Sequence, residues 1–286
     1  MLDFVRATIR MSTPLLLTAL GGTWTQQTGV LNISQEGAML ISSFFAVCGN
    51  YFFESWVIGI LFGMAAGLLF NMLFALLCVF LRANIWVVGM TLNILADSLS
   101  ILLMKSIFHV KGGFRDPRMV RIPDVHIPWL GDLSLIIIVA FVLFFIFWFF
   151  DSKSVFGMRL KAVGENEEAL SAAGISPIRL RFKALAINGL MVGMAGAFLS
   201  TSYLVAFVSG MSAERGWLAV AAVIFGGGNL LWTVVGVFLF GAAQTVGIEL
   251  QSFGFSSHLA LMLPYILVIF ALIFKNWKRM KRAQQA

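Results

Sequence analysis

The stretch VIGILFGMAAGLLFNMLFALLCVFL, residues 57–81, runs for 25 residues without one charged side chain. At about 1.5 Å per residue, a helix of that length outreaches the roughly 30 Å hydrocarbon core of a bilayer. It is apolar on every face, which points to a membrane span and away from an amphipathic surface helix. Gly59, Gly63 and Gly67 recur within it at four-residue spacing, a ridge along which helix backbones can approach closely. The rest of the chain repeats the signal. Of its 286 residues 60% are hydrophobic and only 12% charged, where a soluble domain keeps about a quarter of its residues charged.

Outward from residues 57–81, apolar segments of spanning length lie at Phe4–Gly22, Val30–Asn50, Ile85–Met104, Leu133–Phe150, Ala184–Val208, Leu231–Leu250 and Leu259–Phe274. A break falls at Thr23–Gly29 and a shorter apolar segment at Gly216–Phe225. The expectation is a single transmembrane domain over residues 1–286, all-α and polytopic, with about 8–10 transmembrane helices and a best count of nine. Leu133–Phe150 contains no glycine and is crowded with Phe144, Phe145, Phe147, Trp148, Phe149 and Phe150, so it belongs at the lipid-facing edge. Gly189, Gly193 and Ala197 give the Ala184–Val208 segment a small-residue ridge like that of residues 57–81, which places both inside the bundle. Cys48 and Cys78 sit in apolar segments and imply neither a disulfide nor a metal framework. The first helix lacks a cleavage-site pattern and is read as retained, and no internal repeat stands out.

Orientation follows from the basic tail, residues 275–286. Lys275, Lys278, Arg279, Lys281 and Arg282 occur together without an acid and mark a cytoplasmic end. Counting back nine spans puts the loop at residues 151–183, with six Lys or Arg, inside, and the loop at 105–132 and the N-terminus outside. Five Lys or Arg in that outer loop, with Arg6 and Arg10, run against the charge rule; one more break would invert the N-terminus. Within residues 151–183, Val163–Ile175 is the one helix-like stretch that water would choose over lipid. Asn166 can cap it, Glu167 and Glu168 suit the positive end of the helix dipole, Gly174 suits a left-handed exit, and Pro177 blocks continuation. Such a helix is about 12 Å long, too short to span and suited to docking in a groove.

No enzyme signature is present. No glycine is followed by lysine, so there is no phosphate-binding loop. There is no His-Glu-x-x-His, no Cys-x-x-Cys, and the histidines are His109, His126 and His258 alone. The net charge of +7 fits cytoplasmic loops and gives no reason to invoke nucleic acid. The intramembrane polar residues say more, because a charge at the bilayer centre costs about 2.5–3.5 kcal/mol on insertion scales. Asn32, Gln35, Glu36 and Asn93 read as the lining of a polar pathway, with Asp97 the other acid within a span. Glu36 also reads as an acid in the first turn of the helix that Asn32–Glu36 begins, and both roles stay open. Asn71, Asn188 and Gln244 suit hydrogen bonds between helices. Gly226–Asn229 reads as a tight turn. Glu214 and Arg215 form an ion-pair-capable couple on the external side, beside Ser212 as a helix cap.

Several motifs stand together in order. They are Gly29-Val30-Leu31-Asn32-Ile33 with Glu36-Gly37; Ala83-Asn84 with Gly89 and Leu92-Asn93; and Ala162-Val163-Gly164-Glu165-Asn166 with Ala172-Ala173-Gly174-Ile175. Arg215-Gly216-Trp217-Leu218-Ala219-Val220-Ala221-Ala222-Val223-Ile224-Phe225-Gly226 and Met262-Leu263-Pro264-Tyr265 complete the set. In these the chain resembles the integral-membrane permease subunits of ATP-binding-cassette importers in the ribose and branched-chain amino acid group, and within it the shorter permease of the nucleoside-uptake branch. The resemblance implies a subunit of a bacterial cytoplasmic-membrane importer for nucleosides or related ribosyl compounds, working by alternating access. It implies that Gly164, Glu165, Asn166, Glu167, Glu168, Ala173 and Gly174 dock on a cytoplasmic ATPase. ATP would be used by that partner, with no cofactor in this chain. A second permease, in most such systems a paralogue, and an extracytoplasmic substrate-binding lipoprotein would complete the assembly.

The chain departs from that pattern at four places. Ser34 and Gln35 stand where relatives commonly carry glycine and an aliphatic residue, Gln26-Gln27 where a charged pair is frequent, Glu214 where glycine is frequent, and Gly227-Gly228-Asn229-Leu230 in place of a Trp- and Pro-containing turn. Cargo of the same class, a simple sugar or a ring-bearing vitamin such as a flavin, is the alternative. An ion-coupled secondary transporter is the rival from another class; repeats and more membrane-embedded acids would favour it.

Overall fold

Polar residues do not end the first helix where their polarity suggests. The hydroxyls of Thr13 and Thr23 donate back to the carbonyls of Ile9 and Ala19, four residues earlier, at 2.7 and 2.8 Å, so they need no water. Helix α1 therefore runs over Leu2–Gln27, through most of the expected break at Thr23–Gly29. In this computed structural model, which describes residues 2–127, 131–252, 262–270 and 273, the chain leaves helix only at Thr28 and resumes it at α2 (Gln35–Phe53), later than the Val30 start expected. Helices α3 (Trp56–Ala75) and α8 (Pro177–Phe198) each widen into a π turn at their ends, Leu76–Phe80 and Leu199–Tyr203. Between them lie α4 (Ile85–Phe108), α5 (Leu135–Lys153) and two short helices, α6 (Val155–Glu165) and α7 (Glu167–Ala172). The short α9 (Arg215–Gly226), α10 (Leu230–Ser252) and a helical stretch over 262–270 follow. The basic tail and parts of the Leu259–Phe274 segment lie outside the described residues.

The fold is mostly helical, with two small exceptions in the loops between helices. Strands β2 (Asp124–Ile127) and β3 (Gly131–Ser134) pair antiparallel, and β1 (Gly113–Phe114) pairs with β4 (Phe207–Val208). Five helices among the described residues are long and apolar enough to cross a membrane: Trp56–Phe80, Ile85–Phe108, Leu135–Lys153, Pro177–Tyr203 and Leu230–Gln251. The best count of nine reduces to those five on this criterion. α1 carries Arg6 and Arg10 near its start, and α9, at 12 residues, is too short.

Glycine decides which helices meet. A Cβ on Gly67 of α3 would lie 2.4 Å from the Gly189 carbonyl oxygen of α8, and one on Gly193 would lie 2.5 Å from Met64 Cα. On its other flank Gly59 meets the Ala46 carbonyl of α2. The expected ridges therefore pack against each other, as close helix crossings require. α8 is an inner helix as expected, but α3 is inner only along the face that carries its glycines with Phe70, Asn71 and Phe74; Leu61 and Leu69 are 57% and 70% exposed on its far side. The helix that the sequence did not single out, α1, is buried from Met11 through Thr25. α5 stands at the edge as expected: Phe145 and Phe149 face outward while Phe147 stacks on Trp24 at 4.1 Å. Arg10 donates to the Asp132 carbonyl at 3.1 Å, so the start of α1 and the 105–132 segment share one end of the bundle. Gln27, Asp151, Lys161 and Gly228 meet at the other.

Candidate functional site

Between α1 and α2, residues 28–34 cross the bundle without helix, and the polar groups that such a stretch exposes find partners on four helices. Asn32 is fully buried; its Nδ2 donates to Asn188 Oδ1 at 2.8 Å, and its Oδ1 accepts from the Ser34 backbone and hydroxyl. Asn188 Oδ1 accepts a second bond from Asn71 Nδ2 at 2.8 Å, and Asn188 Nδ2 donates to the Thr18 carbonyl. Three asparagines thus join α1, α3, α8 and the unwound segment. Asn71 and Asn188 bond between helices as expected of them. Asn93 of α4 grips the start of α2 from outside: Oδ1 accepts from Gly37 N at 2.8 Å and Nδ2 donates to the Ile33 carbonyl at 3.0 Å. Gln35 is 1% exposed, and neither side-chain polar atom has a hydrogen-bond partner among the described residues. It lies against Gly22, where a Cβ would come within 2.7 Å of its Nε2.

Glu36 does cap a helix, but not its own. Its carboxylate accepts from Glu214 N at 2.9 Å and Gly216 N at 2.7 Å, so it closes the N-terminus of α9, some 180 residues away in sequence. The free N–H groups and positive dipole end of a helix inside the bundle favour a carboxylate there. Ser212 does not take the N-cap position expected of it. Glu214 occupies that position, at φ 62, and no side chain caps from there. Nor do Glu214 and Arg215 pair. Arg215 Nη1 donates to the Met211 and Ser212 carbonyls at 3.3 and 3.2 Å, while Glu214 accepts from the Tyr265 hydroxyl. Glu36→Gln turns one acceptor into a donor facing N–H groups. The expected cost is about 1–3 kcal/mol, read as a thermal unfolding midpoint several degrees lower.

A cavity of about 500 Å³ opens beside that capped end, between α1, α9, α10 and the 262–270 stretch. Its walls include Met11, Arg215, Leu218, Gln244, Ile248 and Tyr265. A second cavity of about 510 Å³, lined by Arg6, Arg10, Asp132, Tyr203 and Glu249, shares the walls Met11 and Ile248 with it. Asn32, Gln35, Glu36 and Asn93 line neither; they surround the joint behind the first cavity. Sequence reading missed these cavities, although Arg215 and Gln244 were noticed singly. Gln244 shows no bond between helices through its Oε1, which is buried without a partner among the described residues.

At the opposite end, three short-range caps shape one corner. Ser154 Oγ accepts from Gly157 N, Asn166 Oδ1 from Ala169 N at 2.9 Å, and Ser176 Oγ from Arg179 N, starting α6, α7 and α8. α7 has six residues, about 9 Å, shorter than expected, and buries none of them. Gly164 and Glu165 end α6, Asn166 is the turn, Glu167 and Glu168 open α7, and Ala173 with Gly174 (φ 78) leaves it. The seven residues expected to dock form one contiguous exposed corner. It is tied to the joint: Arg181 donates through Nη2 to Glu167 Oε2 at 2.8 Å and through Nε to the Thr28 carbonyl at 3.2 Å. Gly164 leaves no room for a side chain, since a Cβ would fall 2.1 Å from the Gln27 carbonyl oxygen. Gln27 in turn bonds Asp151 at 2.7 Å and the Gly228 carbonyl at 2.8 Å, and Lys161 holds Asp151 at 3.0 Å.

Among the described residues no group of three or more His, Cys, Asp or Glu could hold a metal ion, and both cysteines are free. A sequence model of the branched-chain amino acid transport system / permease component family matches residues 4–272. The chain is 33% identical to the guanosine ABC transporter permease protein NupQ of Bacillus subtilis, over 94% of this chain and 90% of that one. It is 31% identical to the nucleoside ABC transporter permease protein NupC of Lactococcus lactis, over 91% and 88%. The fold resembles that of PsaBC from Streptococcus pneumoniae, solved in complex with Fab, with a TM-score of 0.54 at 11% identity over 94% of this chain and 90% of that one.

Proposed function

The chain belongs to the branched-chain amino acid transport system / permease component family, a multi-pass membrane permease, and on that premise we propose how it works and what it carries. It is the permease subunit of an ATP-driven ABC importer, and its cargo is nucleosides. The guanosine and nucleoside permeases that it resembles along nearly their whole length support that cargo. On this reading the chain makes nine crossings, in which α1, α2, the final apolar segment and α9 together with the non-helical stretch before it join the five strongly apolar spans; with the basic tail inside, the α6–α7 corner faces the cytoplasmic side of the inner membrane. A separate ATPase docks on Gly164–Glu168 and Ala173–Gly174. A second permease, a paralogue, and an extracytoplasmic lipoprotein complete the assembly.

One observation carries this reading: a capped helix, exposed at every residue but the half-buried Leu170, is bolted to an unwound intramembrane joint. A soluble partner that moves α7 moves Arg181, Thr28 and the 28–34 segment with it. Asn32, Gln35, Glu36 and Asn93 surround that joint, and the pathway opens along them when it shifts. Reconstituted in vesicles with its ATPase, partner permease and lipoprotein, the chain should accumulate guanosine only when ATP is supplied on the ATPase side. The chain alone should neither hydrolyse ATP nor move solute. Uptake by the chain alone, driven by an ion gradient, would overturn the proposal.

A further inference from the structure

We infer that the cavity between α1, α9 and α10 is the chamber through which cargo is selected, and that Arg215 and Gln244 are its specificity-determining residues. This rests on the nucleoside reading and adds the site and the contacts. The volume, about 500 Å³, falls in the range of roughly 300–1,000 Å³ usual for small-molecule sites. Such sites are mostly apolar with a few placed polar groups, and this one fits: Met11, Leu218, Ile248 and Met262 supply apolar wall.

Two of its polar side chains are left incomplete. Arg215 Nε is a buried donor and Gln244 Oε1 a buried acceptor, and neither has a hydrogen-bond partner among the described residues. Orphaned groups of this kind are rare because each costs free energy unless something satisfies it. Arg215 cannot turn away, because its Nη1 is held by the Met211 and Ser212 carbonyls. Those carbonyls belong to the turn that Glu36 fastens to α2, so the guanidinium is oriented by the same joint that α7 is tied to. The backbone adds a second sign. Ala213 and Glu214 both adopt left-handed conformations, φ 46 and 62, just before α9. Side chains disfavour this region, and such strain persists where surrounding structure enforces it, often at functional sites.

A ligand that satisfies both orphans presents an acceptor to Arg215, a donor to Gln244 and an apolar face to the Met11, Leu218 and Ile248 walls. A nucleobase does this, with a carbonyl or ring nitrogen beside an N–H. A plain sugar offers hydroxyls on every side and no flat face for Met11, Leu218 and Ile248.

The test uses the complete reconstituted transporter with Gln244→Leu, which keeps volume and removes the acceptor. Because Gln244 Oε1 has no hydrogen-bond partner among the described residues, the variant should assemble in normal amounts. Initial uptake of guanosine and uridine should fall about tenfold, the size of one lost hydrogen bond. Arg215→Lys, which keeps charge but loses the fixed fork, should fall further. Ribose and riboflavin are assayed in parallel with the unaltered protein. Full-rate guanosine uptake by Gln244→Leu overturns the chamber while leaving the nucleoside cargo standing. Carriage of ribose or riboflavin and of no nucleoside overturns the cargo, and loss of that uptake in Gln244→Leu still places the cargo in this chamber.

Discussion

Asn188→Leu should lose most of the correctly assembled protein, seen as a collapse of the monodisperse peak on size-exclusion chromatography and a thermal midpoint too low to tolerate purification. Leucine keeps the branched outline but is bulkier, so overpacking against Gly21 adds about 1–3 kcal/mol to the loss. Removing the side chain strips partners from Asn32 Nδ2, Asn71 Nδ2 and the Thr18 carbonyl at once. A single bond between membrane helices averages only about 0.6 kcal/mol, because an unfolded chain in the bilayer finds other partners. In this glycine-packed core Asn32 Nδ2 is left without a partner among the described residues, at about 1–3 kcal/mol, and Asn71 Nδ2 keeps only a 3.4 Å bond to the Leu185 carbonyl. With the overpacking, the sum reaches a large part of the stability of a typical domain, about 5–15 kcal/mol. Gln244→Leu is the contrast: the same type of change, at a residue whose Oε1 has no hydrogen-bond partner among the described residues, should leave assembly intact.

Legibility in the sequence followed the range of the interaction. Features set within a few residues were readable: the charge-free run at 57–81, the glycine ridges of α3 and α8, the Asn166 cap, and the left-handed exit at Gly174. The polar cluster at Asn32–Glu36 was readable as special, but its use was not, because its partners lie far along the chain. Glu36 closes a helix that begins at Arg215, and Asn32 bonds Asn188. No local pattern announces a cap supplied from another helix. The end of α1 was misplaced for a related reason. Threonines that would favour a break in water satisfy themselves on their own helix once buried, and polarity then no longer stops it. Ser212 looked like a cap because serine commonly is one; the turn instead runs through Ala213 and Glu214 in left-handed conformations. A glycine at position 214 would adopt φ 62 without strain.

The central claim is that α7 passes the ATPase's motion to the joint at residues 28–34, and its most sensitive point is Glu165-Asn166-Glu167. Magnitudes separate this site from Asn188. α7 buries nothing, so replacing these three residues by alanine removes no core contact. The Asn166 cap contributes about 1 kcal/mol, decisive for a six-residue helix that is marginal on its own. The Glu167–Arg181 pair, with side chains 48% and 21% exposed, adds at most about 1 kcal/mol. The change therefore erases a rigid, tethered docking helix from a protein that otherwise remains folded. The decisive measurement is simultaneous guanosine uptake and ATP hydrolysis by vesicles holding the complete transporter with these three alanines, at matched amounts of assembled protein. Uptake should vanish, and transporter-stimulated hydrolysis with it. Uptake at the normal rate, with normal ATP consumption, would contradict the coupling role of α7.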